Sequence, residues 1–196
     1  MNIIPDETFH IYNQGNNQET VFYEDGDYRA FLKLFRKFVY PHAKVLAWCL
    51  MPNHFHFLIH ATKDSSKLKQ IGNIEVGELS NGFRLLESQY AHYINNKHAR
   101  SGSLFRQKTK AKPMSEGDIH YEFTAFHYIH QNPFIAGLAA KMEDWKYSSY
   151  ADYMGLRKGT LCDQELAFRL IGFNKENFVK ESCEVLDDKL LKKIFY

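Results

Sequence analysis

The spacing of apolar positions changes several times along this chain, and each change marks an element. "TFHIYNQG" alternates and then breaks at Gly15-Asn16-Asn17, which predicts a strand entering a loop. From Asp27 to Val39, the residues Tyr28, Phe31, Leu32, Leu34, Phe35 and Phe38 recur at helical spacing. "KVLAWCL", Lys44 to Leu50, reads as a strand, Pro52-Asn53 as a turn and His54 to His60 as the returning strand of an antiparallel hairpin. A Gly- and Ser-punctuated linker follows, then a long helix over Leu79 to Asn96 with Phe83, Leu86, Tyr90, Tyr93 and Ile94 on one side. Leu104 to Met114 predicts a further strand. Asp118 to Asn132 predicts a helix capped by Asp118 and ended by Pro133. "DWKYSSYADYMG" forms a compact aromatic segment. Beyond Gly155 the chain turns more polar, with short amphipathic helices over Glu165 to Ile171 and Asp187 to Phe195. The expected architecture is α+β, with helices on one face of an antiparallel sheet. One domain is expected over residues 1–155, and a small helical C-terminal extension over 156–196.

Composition narrows the picture. The 196 residues are 44% hydrophobic and 15% aromatic, enough for a sizeable core. A formal charge of +2 excludes binding nucleic acid through bulk charge, so an anionic partner needs a local patch. Cys49, Cys162 and Cys183 are odd in number and widely spaced, which argues against a disulfide framework or a cysteine zinc site. No signal peptide is visible in "MNIIPDETFH" and no apolar run approaches the roughly 18 residues of a membrane span, so a cytoplasmic protein without a membrane partner is expected.

Candidate chemistry begins in "MPNHFHFLIH". Side chains on a strand alternate faces, so His54 and His56 point the same way, about 6.6–6.8 Å apart along the chain, and can converge on one ion. His60 shares the face but lies roughly 13 Å beyond His56, too far to join them. The face of Cys49, across the turn, is not fixed by the sequence. The pair serves equally well as two satisfied polar side chains. As ligands, two neutral nitrogens suit Mn, Zn, Ni or Co better than Mg, and substrate phosphate oxygens can complete the shell. "IHYEFTAFHYIHQNP" supplies a second group. On a helical wheel Ile119, Phe123, Phe126 and His130 cluster on one side, while Tyr121, Ala125, Tyr128 and Asn132 lie opposite. Tyr128 and Asn132 are one turn apart, so a phenol and an amide oxygen emerge side by side; packing is the competing use of such a tyrosine.

Together these segments resemble a family. "LAWCLMPNHFHFLI", then "YIHQNPFIAGL", then "DWKYSSYADY" look like the REP-associated tyrosine transposases, which are single-tyrosine HUH transposases. "FHIYNQGNN" and "SGSLFRQKTKAK" resemble that family's first strand and the strand before its tyrosine helix. The resemblance covers about Phe9 to Tyr153. It implies a ferredoxin-like domain that cleaves and rejoins single-stranded, hairpin-forming DNA through a 5′-phosphotyrosine. In that reading Tyr128 is the nucleophile and His54, His56 and Asn132 hold a divalent metal, Mg²⁺ or Mn²⁺. His127 and Gln131 are candidate proton acceptors beside Tyr128, with a metal-bound water as their rival.

The DNA-binding candidates are a cationic row and an amide-rich loop. Arg106, Lys108, Lys110 and Lys112 fall on one face of the predicted strand and make a track for a phosphate backbone, or alternatively a solvated outer face. Asn13, Gln14, Asn16 and Asn17 are candidates for base-edge contacts, or simply turn formers. The expected partner is single-stranded or hairpin DNA, bound by a monomer or homodimer. Two other functions compete: a non-catalytic hairpin-binding protein of the same fold, and a metal-dependent hydrolase of small substrates in which Tyr128 is structural.

Overall fold

A computed structural model describes residues 1–115 and 121–184 of the chain. Strand β1 (Thr8–Gln14) is followed by helix α1 (Asp25–Phe38), by the hairpin β2 (Ala43–Met51) and β3 (His54–Ala61), and by a second, small hairpin, β4 (Leu68–Ile71) and β5 (Ile74–Gly77). Helix α2 (Glu78–Lys97), strand β6 (Lys110–Pro113) and helix α3 (Tyr121–Ile135) come next, with the short α4 (Tyr150–Tyr153), α5 (Gln164–Ile171) and α6 (Phe178–Cys183) after them. The main sheet is antiparallel with order β2-β3-β1-β6. The central strands are therefore the first and third of the chain, and α1 and α2 are the crossovers of a ferredoxin-like fold. A Cβ at Gly82 of α2 would collide with the carbonyl oxygen of Phe38 at the end of α1, so glycine lets these helices meet there.

The period-2 pattern of the strands sorts two cores. Phe9, Ile11, Trp48, Leu50, Phe55, Phe57 and Ile59 face α1 and α2, where they meet Phe31, Phe35, Phe83 and Tyr90. The other face carries Leu46, Ala47, Cys49, Met51 and Leu58, which pack with Ala125, Phe126 and Ile129 of α3. The expectation that helices occupy one face holds for α1 and α2 and is corrected by α3, which covers the opposite face. Nor does the segment after Gly155 stand apart: Ala167, Ile171, Phe173 and Phe178 close the second core behind α3. This explains the two stripes on that helix. One is turned to the sheet and the other to α5 and α6, so α3 is buried along most of its circumference.

Other boundaries moved for local reasons. The linker after β3 contains the β4–β5 hairpin, built on Gly72 at φ 59° and Asn73. Regular pairing of the predicted Leu104–Met114 strand is confined to β6, with one isolated bridge between Phe105 and Gly15. Pro133 does not end α3, which runs to Ile135 and is closed by Gly137 at φ 68°, where Leu138 N–H donates to Pro133 O at 2.9 Å and Gly137 N–H to Phe134 O at 3.0 Å. Asp118 and the predicted helix from Asp187 to Phe195 lie outside the described residues. The aromatic segment crosses the β2 edge: Leu50 N–H donates to Tyr147 O at 2.9 Å and Ser149 N–H to Trp48 O at 3.0 Å, which seals that edge of the sheet. Among the described residues no helix is long and apolar enough to cross a membrane.

Two histidines of α3 tie the second core together. His130 Nε2 lies 2.7 Å from Ser149 Oγ, and His127 Nδ1 lies 2.8 Å from Ser182 Oγ. Burial holds His127 down to about 4, and burial with the neighbouring His127 holds His130 well below its ordinary 6.5. The folded-state values are depressed, so the unfolded chain takes up protons that the folded chain refuses. Their contribution is complete above about pH 6.5 and is lost as pH falls toward 4. The melting temperature is expected to be flat from pH 8 to 7 and to drop by about 4–8 °C at pH 4.5, for a loss on the order of 2 kcal/mol. His127→Gln should make that decline shallower. A melting temperature that holds steady down to pH 4.5 removes this account.

Candidate active site

The sheet face under α3 gathers the polar side chains that the core cannot use. In the β1–β3 register Gln14 stands opposite His54 and Tyr12 opposite His56; in the β1–β6 register Lys110 stands opposite Tyr12 and Lys112 opposite His10. Directly paired residues share a face, so His54 and His56 emerge among His10, Tyr12, Gln14, Lys110 and Lys112. Cys49 is opposite His56 in the β2–β3 register, which settles its face; burial raises its thiol well above the usual range, and its Sγ contacts Met51 Sδ at 3.8 Å. His60 pairs with Thr8 at 3.4 Å, away from the other histidines as its spacing predicts.

The imidazoles of His54 and His56 meet edge to face, 4.9 Å between centroids. The Tyr128 ring lies edge-on to His56 at 6.1 Å, which brings the tyrosine of α3 to the histidines of β3. His56 is buried, whereas His54 and Tyr128 are half-buried, so the group opens to solvent on one side. Burial lowers His54 to about 4 and, with His54 and His10 adding to it, lowers His56 further, so both rings are neutral at pH 7 and carry a lone pair. His54 Nδ1 is 2.6 Å from Asn53 Oδ1, which leaves its Nε2 as the basic nitrogen. Asn132 is buried one turn after Tyr128, and its Nδ2 makes no hydrogen bond. Two neutral imidazoles on one face suit a divalent ion that takes its remaining ligands elsewhere; an amide would join them through its Oδ1 and not through the Nδ2 that lacks a partner. Among the described residues no group of three or more His, Cys, Asp and Glu comes together for that purpose.

Several predicted residues have other tasks. Asn13 is on the opposite face, where its Nδ2 donates at 3.2 Å each to Glu87 Oε1, Arg106 O and Thr109 Oγ1. It is a latch that holds the Phe105–Thr109 loop to α2, so its amide is engaged within the protein and not turned outward as expected for a base-edge contact; its parity follows from β1, but the loop it holds could not be seen in the sequence. Thr109 closes the same latch by donating to Glu87. His127 and Gln131, the candidate proton acceptors, are turned away from the site: His127 contacts Ser182, and Gln131 Nε2 donates to Ser182 O at 2.8 Å and Glu184 O at 3.0 Å. Arg106 and Lys108 precede β6 in the latched loop, so strand alternation places only Lys110 and Lys112. Arg106, Lys108 and Lys110 are exposed, and Lys112 is half-buried with its ammonium 5.7 Å over the Tyr121 ring. Asn16 and Asn17 are exposed in the loop after β1, which is tied to the hairpin turn by Gly15 N–H to Asn53 O at 2.7 Å. That loop and half-buried Gln14 therefore border His54. His10 and Tyr12, missed from the sequence, are brought in by the register alone; the alternation of "TFHIYNQG" held the only signal for them.

No protein-family model and no curated protein sequence matches this chain. Among solved structures, the chain is similar to a REP-associated tyrosine transposase bound to a REP hairpin, with a TM-score of 0.58 and 16% identity over 79% of this chain and 83% of that one. The fold is thus shared with a solved member of the family that the histidine and tyrosine segments resemble.

Proposed function

We propose that this protein is a transposase-like enzyme that cleaves and rejoins single-stranded, hairpin-forming DNA, with Tyr128 as nucleophile and His54, His56 and Asn132 as the ligands of a divalent ion, Mg²⁺ or Mn²⁺. The observation that carries this reading is the edge-on contact of Tyr128 with His56 at 6.1 Å, between elements that are distant in sequence. The fold shared with a transposase bound to a hairpin supports it.

The bound ion would supply Lewis acidity, drawing charge from a non-bridging phosphate oxygen. The protein's own residues do the rest. The exposed cations of the latched loop and β6 hold the backbone of the strand by its phosphates. Tyr128 Oη attacks phosphorus, the bond from phosphorus to the 3′ oxygen breaks, and the proton given up by the phenol is balanced by the one taken up by the departing oxygen, which is released as a 3′-OH. The energy of the broken bond stays in the phosphotyrosine, so another 3′-OH can reverse the step and join strands without a nucleotide cofactor.

The test is incubation of the protein with a labelled hairpin oligonucleotide and Mn²⁺ or Mg²⁺, followed by a denaturing gel. A band of protein joined to DNA is expected. Hairpin binding with no such band under either ion leaves the non-catalytic reading, and hydrolysis of small esters without DNA binding leaves the hydrolase.

The cations make a separate prediction. Arg106, Lys108 and Lys110 replaced together by Ala should weaken hairpins and unrelated single strands alike and flatten the salt dependence of log K by about 2, at roughly 0.7 per phosphate contact. Lys112 is left in place because it packs over Tyr121. A wild-type slope in the triple variant makes this row a solvated face.

A further inference from the structure

His10 is fully buried on β1, with no role so far except its place beside His56. Its Nε2 is 2.8 Å from His56 Nδ1, with the ring planes 20° apart and the centroids separated by 5.0 Å. Ring faces touch at about 3.5 Å, so nitrogens at 2.8 Å are joined edge to edge by a hydrogen bond lying near both planes. On its other side His10 lies against Tyr12, 4.8 Å between centroids, which restrains the ring from swinging. Both rings are buried, and at pH 7.5, above the ordinary imidazole value of about 6.5, both are neutral and each carries one N–H.

Two neutral imidazoles so joined have two arrangements. If His10 donates, His56 keeps its proton on Nε2, and that nitrogen cannot ligate. If His56 donates from Nδ1, its Nε2 carries the lone pair. His54, on the same face, is already held in the second state by Asn53 Oδ1.

We propose that His10 is a positioning residue for His56: its Nε2 accepts the His56 Nδ1–H, and this fixes the plane and tautomer in which His56 offers Nε2 beside that of His54. The inference deepens the reading of His54 and His56 as a metal-binding pair, and rests on it. The tautomer itself is a property of the protein without any ion. His10, on β1, and Asn53, in the β2–β3 turn, would then act alike, each engaging the Nδ1 of one histidine.

The test begins with the full chain, ¹⁵N-labelled at histidine and free of metal, at pH 7.5. Long-range ¹H–¹⁵N spectra read each tautomer, and His56 is expected to be protonated on Nδ1. A His56 protonated on Nε2 overturns the proposal. Calorimetric titration with Mn²⁺ follows in two variants. His10→Gln places an amide oxygen where it can accept, and should retain the His56 tautomer and most of the affinity. His10→Phe keeps a ring but no acceptor; it should mix the His56 tautomers and weaken Mn²⁺ about 10–100-fold. Wild-type tautomer and affinity in His10→Phe also overturn it. Should that variant fail to fold, the wild-type spectrum and His10→Gln still decide. A wild-type chain that binds no Mn²⁺ while His56 is protonated on Nδ1 removes the metal reading and leaves the role of His10 in place.

Discussion

Tyr128→Phe is expected to bind hairpin DNA and Mn²⁺ as the wild type does, and to form no covalent adduct. The change removes one oxygen from a half-buried ring, so its cost in stability should stay near about 1 kcal/mol. Removing a nucleophile from an otherwise intact site typically costs on the order of 10⁴–10⁶ in rate, which takes strand cleavage below detection. Tyr121→Phe is the matched control. Tyr121 lies two turns earlier on α3, buried beneath the Lys112 ammonium, and its loss should leave adduct formation unchanged. An adduct that persists in Tyr128→Phe and vanishes in Tyr121→Phe would move the nucleophile by seven residues. Full cleavage in both variants with no adduct assigns the chemistry to an activated water.

The second large effect is expected at the histidines, and the structure makes the two unequal. His54→Ala and His56→Ala should each abolish Mn²⁺ binding by calorimetry and cleavage of the hairpin. His54 is half-buried with a partner on its own turn, so its removal should leave the melting temperature nearly unchanged. His56 is buried against His10, so His56→Ala also strips a partner from a buried imidazole; at about 1–3 kcal/mol, this lowers the melting temperature by about 2–12 °C. Wild-type Mn²⁺ affinity in both variants would falsify the metal site.

Much of this site was legible in the sequence because it depends on short-range periodicity. The β2–β3 hairpin and the common face of His54 and His56 follow from alternation, and the adjacency of Tyr128 and Asn132 from one helical turn. What was hidden depends on register between strands distant in the chain. Nothing local says that Tyr12 stands opposite His56 or Lys112 opposite His10, and so the His10 contact was invisible. Asn13 was misread for a related reason. An amide beside an amide-rich loop looks like a base reader until Glu87, on a helix far along the chain, claims it. His127 and Gln131 sit beside Tyr128 in sequence, but a helix covered on nearly every side points its neighbouring residues into different surroundings. The covering of α3 was hidden because α5 reads as one short amphipathic helix in a polar tail and α6 is not predicted at all.

That covering has a consequence for the proposed reaction. Ala125, Phe126 and Ile129 pack α3 against the sheet, and Phe173 and Phe178 close the same core behind it, so Tyr128 rides on a rod wedged between two walls. A rod so wedged offers its phenol few alternative positions, and the alignment of tyrosine with histidine is completed during folding, before any substrate arrives. Adjustment then falls on the nucleic acid. A strand whose backbone is already sharply bent, as at the foot of a hairpin, has least to give up in reaching a fixed phenol; a straight duplex has most. Rigidity in the protein would in this way act as a filter for shape in the DNA.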